Sequence, residues 1–410
     1  PVQPVQPVQP VQPVLPAQPA QPVQHQVQPG GLSLLPVSRI APLADMANLA
    51  PVSRNVVFGL AHNTLPANLA IFLNSFRKHN REASIVFWLN APLHQRTREV
   101  LTRFGADALI YDAAKDFPAS WGSYHPSTTR WPLFKAYLDR HGSLVDNVLM
   151  IDTRDSAFQD DPFRYLGAPQ GAPLWVYEED TIISKNGWNE GWIRDCFGQQ
   201  VTTSLGKNTV ICSGVSIGGI VAVQRYLEEM TKVMATEWFH KCERNGVDQG
   251  VHNVIIHRRD VQGEFLRIAD QRSGWIAHLQ SNFYHVGGPD DAPVVTNNEG
   301  EKFAIVHQFD RNEKLALAYS KLYVYWNIEE DGYCDAFETR QDLDLFFKQC
   351  DMGKTGEITA YTCCASCAVR PGCKGWTFAN GCWLKNCDYD PQSARPKSHA
   401  GAVSGYLKQQ

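Results

Sequence analysis

Two carboxylates three residues apart, Asp152 and Asp155, close a run of four apolar residues, Val148-Leu149-Met150-Ile151. Hard divalent cations select oxygen ligands, so acids delivered by the end of a buried strand are suited to holding one. A histidine, His307, ends a second apolar run, Phe303-Ala304-Ile305-Val306, and would add one nitrogen ligand. Carboxylates with a single imidazole suit manganese or magnesium, and the imidazole tips the choice to manganese. A dication so held stabilises negative charge gathering on a leaving group. Arg154, Arg130, Lys135 and Arg311 are candidate partners for an anion beside it, arginine because its fork matches phosphate. Glu179, Asp180 and Asp248 offer carboxylates for general-base work. Ser213-Gly214 lies in an apolar segment whose small residues allow a ligand or another backbone close approach. Each feature has a plain structural alternative: a solvated turn for the acid pair, a satisfied core histidine for His307, surface charge for any one cation.

The elements that must position these residues are legible as periodicity. Val56 to Leu60 is a short apolar run, and Thr64-Leu65-Pro66 reads as a cap and helix start. Leu69, Phe72, Leu73 and Phe76 then recur at the spacing of one buried helix face. Ser84 to Leu89 and Ala108 to Tyr111 read as strands flanking a helix around Arg96 to Phe104, and Trp131 to His141 reads as another helix. Leu174 to Tyr177 reads as a strand that ends in the Glu178-Glu179-Asp180 cluster. The apolar segment Val210 to Gly219 leads into a helix expected to bury Leu227, Met230, Met234 and Trp238. Alternation of this kind predicts an α/β fold, a mostly parallel sheet covered by helices, with ligands at the carboxyl edge.

A chain of 410 residues predicts two or three units. A formal charge of -4 without a basic block argues against nucleic acid as a partner. No apolar run approaches the roughly 20 residues of a membrane helix. Residues 1–32 are a Pro-Val-Gln-rich stretch, expected to be an extended stem or linker because a proline in every third position excludes helix and central strand. Eight of the eleven cysteines crowd the last fifth of the chain with no histidine among them, which predicts a disulfide scaffold and an oxidising compartment rather than zinc. The expected location is the secretory pathway, in the Golgi or ER lumen, or outside the cell, with any membrane anchor lying beyond this fragment.

Taken in order, the motifs between about residues 55 and 325 resemble nucleotide-sugar-dependent glycosyltransferases of the A fold. The matching residues are Asp152 and Asp155, Ser213-Gly214-Val215, Asp248-Gln249 with Asn253, and the late histidine His307. The acid motif departs from that family's pattern, with two residues between the carboxylates instead of one, which leaves open the oxygens that reach the metal. The resemblance implies a catalytic domain over residues 33–328, Mn2+ (or Mg2+) on Asp152, Asp155 and His307, and a nucleotide-sugar donor, UDP-linked. It implies Asp152, Arg154, Arg130, Lys135, Ser213 and Gly214 on the donor, Asp248, Gln249 and Asp180 as catalytic residues, and a glycan or glycoprotein acceptor. The Asp-Gln segment leans toward retention of configuration; an inverting enzyme would need Asp180, Glu179 or Asp248 as base. Residues 329–410 form the third unit. Tyr333-Cys334-Asp335-Ala336-Phe337, Cys363-Cys364-Ala365-Ser366-Cys367, Pro371-Gly372-Cys373 and Cys382-Trp383 within it resemble a PAN/apple module. That resemblance implies a Cys367–Cys373 pair, Cys363 or Cys364 paired with Cys382, and a protein or carbohydrate ligand. A nucleotide-sugar hydrolase or nucleotidyltransferase, and a non-catalytic carbohydrate-binding adhesin, are the competing functions.

Overall fold

Strands that must be covered on both faces need apolar side chains at every position, and the first half of the chain supplies them. The computed structural model describes residues 35–166, 171–261, 265–345, 350–357, 359–379, 381–388 and 397–408. The expected stem, 1–32, lies outside the described residues. In chain order the elements up to the acid motif are β1 (Ile40–Pro42), β2 (Asn55–Leu60), α1 (Pro66–His79), β3 (Ser84–Asn90), α2 (Gln95–Phe104), β4 (Asp107–Tyr111), α3 (Ala113–Asp116), α4 (Pro126–His141) and β5 (Asn147–Ile151). Then follow β6 (Ser156–Phe158), β7 (Leu174–Ile182), α5 (Gly187–Leu205), β8 (Thr209–Gly219), α6 (Ile220–Met234), α7 (Val247–Arg258), β9 (Leu266–Ala269), β10 (Ile276–His278), β11 (His285–Gly287), β12 (Val294–Thr296), β13 (Ile305–His307) and α8 (Glu313–Tyr323).

Eight strands form one sheet in the order β1-β4-β3-β2-β5-β8-β7-β9. It is mostly parallel, with β8 running antiparallel to both neighbours. Strand alternation divides its side chains between two cores. Phe58, Val86 and Trp88 pack with Phe134 and Tyr137 of α4 on one face, and Val57, Ile85 and Phe87 with Leu69, Phe72 and Phe76 of α1 on the other. A second, three-stranded sheet has the order β10-β13-β6.

The remaining elements are β14 (Phe337–Asp344), β15 (Asp351–Thr355), α9 (Ala360–Val369), β16 (Gly375–Phe378), β17 (Cys382–Lys385) and β18 (Lys397–Leu407). The five strands form an antiparallel sheet against which α9 lays Cys363, Cys364 and Cys367 beside Phe337, Trp376 and Leu384. The eight cysteines here make four bridges, Cys334–Cys364, Cys350–Cys387, Cys363–Cys382 and Cys367–Cys373. A fifth, Cys196–Cys242, ties α5 to the segment after α6, and Cys212 is unpaired and buried. These disulfides fit a secreted or lumenal protein. Among the described residues no helix is long and apolar enough to cross a membrane.

Three expectations change. The helix expected from Trp131 starts at Pro126, because the His125 side chain accepts from Ser127 N (3.2 Å) and Pro126 takes the first helical position. The strand expected to end at Tyr177 runs on through Glu178, Glu179 and Asp180 to Ile182. Helix α6 ends at Met234, so Trp238 lies beyond it and is 39 % exposed, while Leu227, Met230 and Met234 are buried as expected.

Candidate metal centre

The small sheet brings the acid pair and the late histidine together. Strand β13 ends on His307, its parallel neighbour β10 ends on His278 in the same register, and its antiparallel neighbour β6 begins with Ser156 opposite His307. Asp155 therefore leads into the strand beside His307. Asp152 leaves the large sheet at the end of β5, its backbone N–H donating to the Gly214 carbonyl (2.8 Å). The two residues between the acids are anchors: Thr153 Oγ1 donates to the Leu60 carbonyl (3.0 Å), and Asn68 Nδ2 donates to the Arg154 carbonyl (2.8 Å). The wider Asp-x-x-Asp spacing is the step from one sheet to the other.

His307 Nε2 lies 3.5 Å from Asp152 Oδ2 and 3.8 Å from Asp155 Oδ1. The other oxygen of each acid is occupied. Arg130 Nη1 donates to Asp152 Oδ1, and Arg154 Nη2 donates to Asp155 Oδ2 (2.9 Å). One ligand atom from each of Asp152, Asp155 and His307 lies within 4.8 Å of the others. A Cβ at residue 214 would stand 2.7 Å from both Asp152 Oδ2 and His307 Nε2, so Gly214 keeps the space between them open. His307 Nε2 is buried and has no hydrogen-bond partner. An imidazole nitrogen with only these two carboxylate oxygens facing it, at 3.5 and 3.8 Å across such a space, fits a hard dication. Neighbouring ligands about 2.1 Å from an octahedral ion lie about 3 Å apart, so each of the two His307–carboxylate separations would close by less than about 1 Å.

Charge is arranged in a chain through the site. Burial opposes the charge on Asp152, but Arg130 and His307 outweigh it and hold its carboxyl well below the usual range. Asp155 goes the other way, raised by burial and by Asp310 and Asp152 against the pull of Arg154. Two neighbouring acids driven apart in this way are what a cation between them would relieve. Burial also opposes a charge on His307, yet Cys212, Asp152 and Asp155 leave its pKa raised. Arg130 is buried, and its Nη2 donates to Asp248 Oδ2 (2.7 Å), to the Ser213 carbonyl (3.2 Å) and to Ser213 Oγ (3.3 Å). It thus clamps β5, β8 and α7.

The structure brings together Asp152, Asp155, His307, Arg154, Arg130, Ser213, Gly214, Asp248 and Gln249. Pairing of β7 with β8 shifts register between Val176↔Ser216 and Tyr177↔Cys212, a bulge that sets Ser213 and Gly214 at the site. Asp248, 2 % exposed, is committed to Arg130 and holds it in place. Gln249 Oε1 accepts from Ser213 N (3.3 Å), and its Nε2 donates to Glu179 Oε1 (3.3 Å). Asn253 grips β8 instead, its side chain accepting from Ile211 N and donating to Ile211 O, both at 2.8 Å.

Lys135 and Asp180 are not brought to the centre. Lys135 Nζ pairs with Asp139, one turn along α4 (2.7 Å). Five residues of helix turn the side chain by about 140°, so Arg130 and Lys135 cannot share a face. Asp180 is exposed and accepts from Asn282 N (3.1 Å). Neighbours on a strand point oppositely, and it is Glu179 that turns inward. Arg311 is exposed.

Two residues beside the centre, Cys212 and His278, were not among the expected site residues, and Glu179, expected only as an alternative base, joins them. Burial raises the Glu179 carboxyl to about 6, against the hydrogen bond from Gln249 and the charge of His307. Glu179 also lines a cleft of about 280 Å³ with Glu178, Asp270, Gln271, Arg272 and Phe283. Cys212 Sγ and His278 Nδ1 approach His307 Nδ1, at 3.8 and 3.0 Å. The signal for His278 was present: Ile276-Ala277-His278 and Ile305-Val306-His307 are the same apolar run closed by histidine. Comparison of the chain with protein-family models and with curated proteins returns no match.

Proposed function

We propose that this chain is a metal-dependent glycosyltransferase, moving a sugar from a UDP-linked or other nucleoside diphosphate donor to a glycan or glycoprotein acceptor. The observation that carries the proposal is the meeting of Asp152, Asp155 and His307 around the space left by Gly214. Mn2+, or Mg2+, bound there would act as Lewis acid toward charge developing on the departing diphosphate. Asp152 and Asp155 supply the negative charge that holds the ion, and His307 supplies Nε2. Arg130 keeps Asp152 Oδ2 turned to the ion by holding Oδ1. Arg154, whose side chain is 41 % exposed and pairs with Asp155 and Asp310, is the cation at the rim able to turn to a phosphate. The bulge at Ser213-Gly214 lets the donor lie against backbone.

On the far side of Gln249, Glu179 faces the cleft where an acceptor hydroxyl would enter. A carboxyl near 6 is largely ionised at neutral pH and can accept that proton. Such a base favours inversion, whereas the Asp248-Gln249 motif favours retention, and the anomer of the product decides between them. The same carboxylate could activate water, which makes nucleotide-sugar hydrolysis the second reading. The C-terminal sheet with its cysteine-bearing helix is proposed as a PAN/apple-like module that binds glycan or protein, and the Golgi or ER lumen as the place of action.

The test is a panel of nucleotide sugars with and without glycan acceptors, in Mn2+ and in chelator. Metal-dependent nucleotide release that needs an acceptor supports transfer. Release unchanged by acceptors gives hydrolysis, and no binding of Mn2+ with UDP overturns both.

A further inference from the structure

The two nitrogens of His307 face different chemistries. Nε2 looks toward the oxygens of Asp152 and Asp155, and Nδ1 looks toward His278 Nδ1 (3.0 Å) and Cys212 Sγ (3.8 Å). Ligand atoms of Cys212, His278 and His307 lie within 4.8 Å of one another, and all three residues are buried. Cys212 is the single unpaired cysteine of eleven, the other ten forming five disulfides.

We propose that Cys212, His278 and His307 Nδ1 form a second, thiophilic metal site, for Zn2+, behind the hard-cation site and sharing its imidazole. Zinc takes nitrogen at about 2.0–2.1 Å and thiolate at about 2.3 Å in tetrahedral geometry, which sets ligand pairs about 3.3 Å (N to N) and 3.6 Å (S to N) apart. The observed 3.0 and 3.8 Å differ from these by only a few tenths of an ångström. The set is also soft, one thiolate with two imidazoles, where the set in front is oxygen-dominated, so the two sites select different ions.

Sharing one ring makes the sites antagonistic. With an ion in front, Nε2 is the ligand and Nδ1–H donates to His278 Nδ1. With zinc behind, the Nδ1 proton and the Cys212 thiol proton are released to solvent, and Nε2–H turns to Asp152 and Asp155 as a donor. Two dications on one imidazole require removing both ring protons to leave a bridging imidazolate, so zinc behind weakens the ion in front. This antagonism rests on the proposed function of the front site; the zinc site does not.

The test uses the full chain. Zinc content is measured as purified, because enclosed ligands are expected to load during folding, and Co2+ is then exchanged in as the probe. The expected results are about one tightly held zinc per chain and a thiolate-to-Co2+ charge-transfer band. The band should vanish in Cys212→Ser, weaken at least about tenfold in Co2+ affinity in His278→Gln, and survive in Asp155→Asn. His278→Gln keeps the thiol and serves if the serine variant does not fold. Co2+ binding without a thiolate band, or a band that survives both back-site variants, overturns the proposal. Mn2+ binding is titrated in parallel in the parent and in Cys212→Ser, where the back site is absent: no Mn2+ binding in a folded Cys212→Ser protein, with the thiolate band intact in the parent, sinks only the front site.

Discussion

Gly214→Ala is the sharpest probe of the front site, because it adds one carbon and removes no ligand. The new Cβ would lie 2.7 Å from Asp152 Oδ2, 2.7 Å from His307 Nε2 and 2.5 Å from His307 Cε1. Carbon tolerates such neighbours only beyond about 3.4 Å, so imidazole and carboxylate must retreat by about 0.7 Å or more. Their present separation of 3.5 Å would then pass about 4 Å, too wide for adjacent ligands of one Mn2+ or Mg2+. Misplacement of about 1 Å at a site typically costs about 100-fold, so Mn2+ affinity should fall by at least that factor, or about 2.7 kcal/mol. Overpacking a buried strand should cost stability by about 1–3 kcal/mol. The two effects are separated by titrating Mn2+ calorimetrically and recording thermal unfolding in chelator. A folded Gly214→Ala protein that binds Mn2+ as tightly as the parent would show that the ion does not sit between Asp152 and His307.

Metal affinity should rise as pH is raised through neutrality. The His307 pKa is raised, so in the metal-free protein its proton is favoured and contributes stability below its unfolded value of about 6.5, lost as pH rises through the folded value; a cation at Nε2 must displace that proton. Calorimetry in buffers of different ionisation enthalpy should detect proton release on Mn2+ binding, and pH-independent affinity refutes the assignment of Nε2. Glu179→Gln should lower the rate by about 100-fold or more and remove an acidic limb near pH 6 from the rate profile, whereas Asp180→Asn should change the rate less than about twofold. The reverse ranking in steady-state assays would return the catalytic role to Asp180. Loss of Cys350–Cys387, which closes 37 residues, should destabilise more than loss of Cys367–Cys373, which closes 6, by about 3.8 against about 2.2 kcal/mol on loop entropy. Denaturant unfolding of the double-serine variants checks the order.

The sequence alone determined the α/β class and the strand that leads into Asp152, because a parallel sheet buried on both faces must be built from uninterrupted apolar runs, and those are local. It determined the disulfide scaffold through cysteine density, and the pairing of Cys367 with Cys373 as a family resemblance. It marked Asp152, Asp155 and His307 by residue type at strand ends. Only tertiary structure decided that they meet. Their convergence depends on β6, β10 and β13, three-residue strands too short to show a period, whose register sets His307 between Ser156 and His278. The choice of Glu179 over Asp180 likewise depends on how far β7 extends, since one step along a strand reverses the side chain. Arg130, buried between Asp152 and Asp248, and Lys135, on another face of the same helix, look alike in sequence; the angle between them separates a structural cation from a surface one. The sharing of His307 between an oxygen face and a sulfur face has no linear signature, because Cys212, His278 and His307 come from three strands of two sheets.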